Sequence, residues 1–176
     1  MKKGLPAWAV LTIICALLGL ILGATYAVTK GPIEDQAIAK AVAARKEVCP
    51  DADSFEQVEL PDGALVDNCY RAMKDGKQVG WAVQTTEKGF GGEIEVQTGL
   101  DMDGTLTGVN VGGANFSETA GLGAKTKEPE FTSQFAGKTL PVAPKGNIDA
   151  VSGATISSSA VCRAVNTAGD FVKTVD

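Results

Sequence analysis

Near the end of the chain, Asp149-Ala150-Val151-Ser152-Gly153-Ala154-Thr155 leads into Ile156-Ser157-Ser158-Ser159-Ala160-Val161. It reads as a short strand, a tight glycine turn and the start of a helix. Ser152, Gly153 and Ala154 are small, so a bulky group can come close to the backbone. Thr155 puts a hydroxyl where the turn meets the helix. Helix N-termini present unpaired N–H groups and the positive end of the helix dipole, a setting that holds phosphate well. Two roles for Thr155 follow: carrier of a phosphate-bearing group, or simple helix N-cap, a role open to Ser152 as well. A nucleophile in turnover is a poorer reading. Serine and threonine elbows need a base, and the sequence has no histidine.

The missing histidine also removes Cys–His catalysis, histidine-ligated metals and the HExxH class. Four cysteines, Cys15, Cys49, Cys69 and Cys162, form no CxxC pair, so neither a zinc ribbon nor a cluster motif is expected. No metal ligands and no catalytic residues are assigned. Cys162 reads as a small buried residue of the last helix. Cys49 and Cys69 flank a polar segment, and either a disulfide or two free thiols suits them.

Other glycine-rich loops fail the usual phosphate motifs. Gly121-Leu122-Gly123-Ala124-Lys125-Thr126 has alanine where a P-loop needs glycine before the lysine. Gly89-Phe90-Gly91-Gly92 does not continue as GxGxxG, and it precedes a strand. The long loop from Gly112 to Thr126 is of a length that is usually functional or disordered inside a compact domain.

These residues must be positioned by the rest of the chain. The sequence has 176 residues and a net charge of −5. Three of its sixteen basic residues, Lys2, Lys3 and Lys30, lie in the first thirty, which hold no acid. The other thirteen face twenty-one acidic side chains, a net charge of −8 over residues 31–176. A domain this acidic is a poor partner for nucleic acid.

Leu5 to Thr29 is 25 residues without a charge. As a helix it spans roughly 37 Å, more than the hydrocarbon core of about 30 Å and longer than a secretory signal's apolar region. It reads as a retained membrane anchor, with Trp8 and Tyr26 near its two ends. Lys2 and Lys3 place the N-terminus in the cytoplasm and the acidic bulk on the other side. Cys15, Gly19, Gly23 and Ala27 form a small-residue stripe that suits a neighbouring membrane helix. Gly31-Pro32 is expected to end the anchor.

Ile33 to Val48 then has helical spacing, stopped at Cys49-Pro50. Phe55–Leu60, Cys69–Met73, Gln78–Thr85, Glu93–Leu100 and Leu106–Val111 alternate as strands. Lys74-Asp75-Gly76-Lys77 and Asp101-Met102-Asp103-Gly104 are hairpin turns. Glu128–Phe135 predicts a short helix, Ile148–Val151 a short strand, and Ile156 to Phe171 a helix of 3.6-residue period. The fold class is α+β: one N-terminal transmembrane helix, then a mainly antiparallel sheet with packed helices. We divide the chain into an anchor (1–30), a helix and connecting segment (31–75) and a core domain (76–176).

The ordered set Gly89-Phe90-Gly91-Gly92-Glu93-Ile94, the Asp101…Gly104 turn with Thr107-Gly108-Val109, Glu118-Thr119-Ala120-Gly121-Leu122-Gly123, Phe131…Gln134-Phe135…Gly137 and Asp149-Ala150-Val151-Ser152-Gly153-Ala154-Thr155 resembles the covalent FMN-binding domain of membrane redox pumps. The resemblance is to the G subunit of the Rnf complex, a ferredoxin–NAD oxidoreductase, and more distantly to the C subunit of the sodium-pumping NADH–quinone reductase. It covers roughly residues 79 to 171.

The resemblance implies FMN joined by a phosphoester to Thr155, installed by a flavin transferase that uses FAD and Mg²⁺. Ser152, Gly153 and Ala154 would leave room for it, and Glu118, Thr119, Leu122 and Gly123 would lie against the flavin. Ala120 departs from the proline common in the family. The implied partners are the D, A and E membrane subunits of the Rnf complex and, indirectly, the subunits on the NADH and ferredoxin side. The implied place is the bacterial inner membrane, with the FMN domain outside the cytoplasm. Two rival readings are a covalent-FMN domain serving another extracytoplasmic reductase, and a non-enzymatic anchored binding module.

Overall fold

A computed structural model describes residues 6–175. Lys2 and Lys3, which carry the orientation reading, lie outside the described residues. The first element is one helix, α1 (Ala7–Val48). Pro32 lies inside it, so Gly31-Pro32 does not end the helix as the sequence predicts. Proline forfeits one backbone hydrogen bond and crowds the preceding turn. The alanine-rich run from Ala37 to Ala44 is strongly helix-forming and continues past that single interruption.

The chain divides into two compact units, the first ending at Ala41 and the second starting at Val42. The described part of the first unit is helix from Ala7 onward. Its most apolar stretch has a mean hydropathy of 2.4, long and apolar enough to cross a membrane. Leu11, Leu20, Leu22, Trp8 and Tyr26 are all exposed. Thr12, Thr25 and Thr29 each donate their hydroxyl to the carbonyl four residues earlier, at 2.9 Å. Such back-bonding satisfies the hydroxyls within the helix, as a lipid environment requires.

The second unit is built on a five-stranded antiparallel sheet in the order β1-β2-β3-β4-β5. The strands are β1 (Ser54–Val58), β2 (Asn68–Lys74), β3 (Lys77–Lys88), β4 (Glu93–Asp101) and β5 (Leu106–Gly112). Thus β1 and β2, which fall in segment 31–75, belong to the same sheet as the three strands that follow. Asp75 (φ 50°) and Gly76 (φ 74°) close the β2–β3 hairpin with positive φ at both central positions, the geometry that matches strand twist. At the β4–β5 turn, the Asp101 carboxylate accepts the N–H of Asp103 (2.9 Å) and Thr105 (2.7 Å).

Helix α3 (Thr155–Val175) packs on β3 and β4. Ala160, Val161, Ala164, Val165 and Ala168 form its buried stripe against Trp81, Val83, Ile94 and Val96. Phe131 and Phe135, in and just after the one-turn helix α2 (Pro129–Thr132), complete this core. The opposite face of the sheet is covered by Val48, Cys49 and Ala52, packed on Ala72 and Ala82. Thr107 donates its hydroxyl to the Val48 carbonyl, and Asn110 donates to Glu47 Oε2 at 2.8 Å. The end of α1 is therefore joined to the sheet by packing and by hydrogen bonds.

No strand forms at Ile148–Val151, contrary to the sequence reading. Ile148 makes one isolated bridge with Pro144. The Gln134 side chain replaces a neighbouring strand: its Oε1 accepts the Asp149 N–H at 2.7 Å, and its Nε2 donates to the Asp149 carbonyl at 3.3 Å.

Cys49 and Cys69 are free and pack on opposite faces of the sheet, which excludes the disulfide left open above. The Cys49 thiol donates to the Trp81 carbonyl at 3.4 Å. Burial pushes the thiols of Cys49, Cys69 and Cys162 up to about 11, from an ordinary value of 9.0. A raised folded-state value means that the native protein holds these protons after the unfolded chain has released them. Their contribution to stability is full below pH 9.0 and is lost as pH rises through about 11. Chemical denaturation midpoints are expected to fall across that window, and a thiol reagent at pH 8 should leave all three native cysteines unlabelled.

Candidate functional site

The Asp149–Thr155 stretch ends on α3. Ala154 is the capping position, because its carbonyl accepts the Ser158 N–H at 3.0 Å. Ser158 Oγ donates to that same carbonyl and accepts the Val151 N–H, both at 3.0 Å. The turn is thus tied down by Ser158, and neither Ser152 nor Thr155 serves as the cap. Among the described residues the exposed Thr155 hydroxyl has no hydrogen-bond partner. Gly153 has φ +76°, and a Cβ there would sit 3.1 Å from Leu122 Cδ2. A side chain at that position would be strained by the backbone and would crowd Leu122.

Beside Thr155 lies a groove of about 300 Å³ with three walls. The start of α3 and its turn supply Gly153, Ala154, Thr155, Ile156 and Ser157. The loop after β5 supplies Glu118, Thr119, Leu122 and Gly123, and the β3–β4 turn supplies Phe90. Three apolar lining residues are unusually open: Phe90 is 71% exposed, Ile156 55% and Leu122 44%. Each is a large apolar surface facing solvent at a concave site, the combination expected where a flat apolar ligand binds.

Glu118 joins the three walls. Its Oε1 accepts the N–H groups of Phe90 (2.8 Å) and Gly91 (3.1 Å), and its Oε2 accepts the Ser157 hydroxyl (2.8 Å). The carboxylate is buried, with the residue 9% exposed. Gly123 makes room for it: a Cβ there would lie 2.0 Å from Glu118 Oε2 and 2.8 Å from Ser157 Oγ.

Of the site residues read from sequence, Thr155, Gly153, Ala154, Glu118, Thr119, Leu122 and Gly123 are brought together around this groove. Ser152 is exposed beside the turn and does not line it. Sequence reasoning missed Phe90, Ile156 and Ser157. For Phe90 a signal was present, an aromatic isolated among three glycines. Ser157 is one of three consecutive serines, and nothing local distinguishes it from Ser158 and Ser159.

The architecture is that of an α+β domain, an antiparallel sheet backed by one long helix, preceded by a helix long and apolar enough to cross a membrane and carrying a helix start beside an apolar groove. The family model described as FMN-binding domain matches residues 89–170. The chain is 37% identical over 174 residues to the G subunit of the ion-translocating oxidoreductase complex of Methanosarcina acetivorans, covering 92% of this chain and 90% of that one. It is 34% identical to the G subunit of the Na(+)-translocating ferredoxin:NAD(+) oxidoreductase complex of Acetobacterium woodii, covering 89% and 86%. The crystal structure of the C subunit of the Na(+)-translocating NADH-quinone reductase from Parabacteroides distasonis superposes with a TM-score of 0.50 at 25% identity, over 60% of this chain and 61% of that one. The chain belongs to the G-subunit family of ion-translocating oxidoreductase (Rnf) complexes.

The residues present fit FMN. The unpartnered Thr155 hydroxyl opens onto the groove, and the first turn of α3 carries no acidic residue to repel a phosphate. Phe90, Leu122 and Ile156 offer apolar surface to a planar ring.

Proposed function

We propose that the chain is an electron-transfer subunit of a membrane ion-translocating ferredoxin–NAD oxidoreductase, with FMN attached by a phosphoester to Thr155. The observation that carries this is the exposed Thr155 hydroxyl, free of any protein partner among the described residues, at a helix start that opens onto an apolar groove. A dedicated transferase using FAD and Mg²⁺ would supply the FMN; Thr155 would contribute Oγ1 to the ester and lose its hydroxyl proton, with AMP as the leaving group.

When bound, FMN supplies one- and two-electron redox chemistry that no side chain of the groove can perform. The chain's own residues hold and shape. The first turn of α3 stabilises the phosphate charge with its N–H groups and dipole. Gly153 keeps the approach to Thr155 open. Leu122, Phe90 and Ile156 would offer apolar surface to the ring, and Thr119 would be available to it for a hydrogen bond. One fixed end and an open groove leave the ring near the surface, within reach of a partner's cofactor.

The anchor holds the domain at the membrane. We place the N-terminus in the cytoplasm and the groove on the opposite side, facing the D, A and E subunits of the complex. The chain relays electrons; it does not itself conduct ions or bind NAD, and it has no stand-alone catalysis.

The test is co-expression of the full chain with a flavin transferase, followed by a denaturing gel. A fluorescent flavin band at the mass of the chain is expected. Folded, membrane-inserted protein without fluorescence would remove the covalent reading and with it the redox role.

A further inference from the structure

Glu118 is the acidic residue of the groove's lining. A buried carboxylate on the wall of an apolar groove invites the reading that it contacts the cofactor. Its hydrogen bonds say otherwise. Both oxygens are occupied within the protein, Oε1 by Phe90 N–H and Gly91 N–H and Oε2 by Ser157 Oγ. These donors lie 28, 27 and 39 residues away in sequence, and they belong to two different walls, while Glu118 itself belongs to the third. Charge-assisted hydrogen bonds of this kind are stronger than neutral ones, and a buried donor deprived of its acceptor is costly.

Space around the carboxylate is also closed. A Cβ on Gly89 would lie 2.2 Å from Glu118 Oε1, and one on Gly123 would lie 2.0 Å from Oε2. The backbone approaches the carboxylate from both sides, leaving it one position. Among the described residues, few other side-chain hydrogen bonds reach this turn: Ser117 donates its hydroxyl to the Gly91 carbonyl at 2.9 Å, from the residue next to Glu118. Arg163 of α3 holds the end of β3, donating to Glu87 Oε2 and to the Lys88 carbonyl, both at 3.2 Å. The tip of the turn, Phe90 and Gly91, is held at the groove by Glu118 and its immediate neighbour, and Phe90 has no buried apolar anchor of its own, being 71% exposed.

We propose that Glu118 is a positioning residue: its carboxylate clamps the Phe90 turn and the first turn of α3 to the loop that carries Thr119 and Leu122, and so sets the width of the groove. It shapes the site through Phe90 and Ser157 without bonding the flavin. The inference rests on the flavin reading above for its consequence, and on geometry alone for the clamp.

What the clamp needs is reach and a hydrogen-bonding atom in each of two directions, an acceptor toward Phe90 and Gly91 and either an acceptor or a donor toward the Ser157 hydroxyl. Glu118→Gln supplies these. Its amide oxygen accepts the two backbone N–H groups, and its amide nitrogen donates to Ser157 Oγ, which is also an acceptor. Glu118→Asp keeps the charge and loses one methylene of reach, so it cannot span the walls. Glu118→Ala removes the clamp.

The experiment has two arms on the full chain in detergent. In the flavin-free protein, amide exchange at Phe90 and Gly91 is expected to be at least about tenfold faster in Glu118→Ala and Glu118→Asp than in the wild type or Glu118→Gln. Amides in the centres of β3 and β4 should keep their rates in all four proteins, which separates a released turn from an unfolded domain. In the second arm, flavin loading by the transferase is expected to slow in the same two variants and to be restored in Glu118→Gln. Unchanged exchange at Phe90 and Gly91 in Glu118→Asp would overturn the clamp whatever the loading shows. Wild-type loading rates in both Glu118→Asp and Glu118→Ala would overturn its role in the site. A wild-type protein that takes no flavin would instead sink the flavin reading, and the exchange arm would still decide the clamp.

Discussion

Thr155→Ala is expected to abolish covalent flavin completely while leaving the domain as stable as the wild type. The loss is all-or-none because the ester needs an oxygen at that position. Ser157 and Ser158, the nearest buried hydroxyls of the same helix turn, are bonded to Glu118 and to the Ala154 carbonyl. Stability should change little because the Thr155 side chain is exposed and makes no hydrogen bond among the described residues. Surface changes of that kind fall within about 0.5 kcal/mol, and alanine is the better helix former. Thr155→Ser keeps the hydroxyl and should keep the flavin. Fluorescence on a denaturing gel reads the first effect, and a thermal melt of the flavin-free proteins reads the second.

The largest effect on stability is expected at Phe135. Its side chain is fully buried and meets Phe131 edge to face, with ring centroids 5.5 Å apart and an interplanar angle of 71°. Phe135→Ala removes an aromatic ring from a packed core and leaves a cavity, a change that costs about 3–5 kcal/mol. The denaturation midpoint should fall with the slope of the transition unchanged, because the surface exposed on unfolding is nearly the same. The site should suffer as well. The neighbouring residue, Gln134, holds the backbone of Asp149 at the head of the turn leading to Thr155. In Phe135→Ala that hold is loosened, and flavin loading should fall by more than the folded fraction alone accounts for.

The sequence carried the sheet well because the cues for β3, β4 and β5 are local. Each alternates with period two, and Asp75-Gly76 and Asp101…Gly104 specify their turns within four residues. The period of Ala160, Val161, Ala164, Val165 and Ala168 likewise announced α3. Pro32 misled because the cost of one proline is local, whereas helix continuation depends on the alanine-rich run that follows. The missing strand at Ile148–Val151 has a similar origin: the chain alternates suitably, but its backbone partner is a side chain, Gln134, which no periodicity reveals.

At the site, local chemistry left Thr155 undecided between a cap and a carrier. The structure removes the cap, since Ala154 takes that position and Ser158 secures it. The grouping of Thr119, Leu122 and Gly123 with Thr155 came from the ordered family motifs, and no spacing rule would have supplied it. Glu118 lines the groove, as the family motifs imply, and its carboxylate is bonded to Phe90, Gly91 and Ser157. Its partners are too distant in sequence for any local pattern to connect them. Phe90, the most exposed member of the groove's apolar lining, lies in a glycine turn, and only the fold brings it to the same groove as Leu122 and Ile156.

Thr155 is the hinge of the functional reading, and peptide mapping tests it most directly. The full chain is co-expressed with the flavin transferase, digested, and the peptide spanning Asp149 to Arg163 is analysed by fragmentation mass spectrometry. The expected result is that this peptide carries the mass of one FMN joined as a phosphoester, with fragments placing it on Thr155. An unmodified peptide from folded protein, or FMN placed on any other residue, would contradict it.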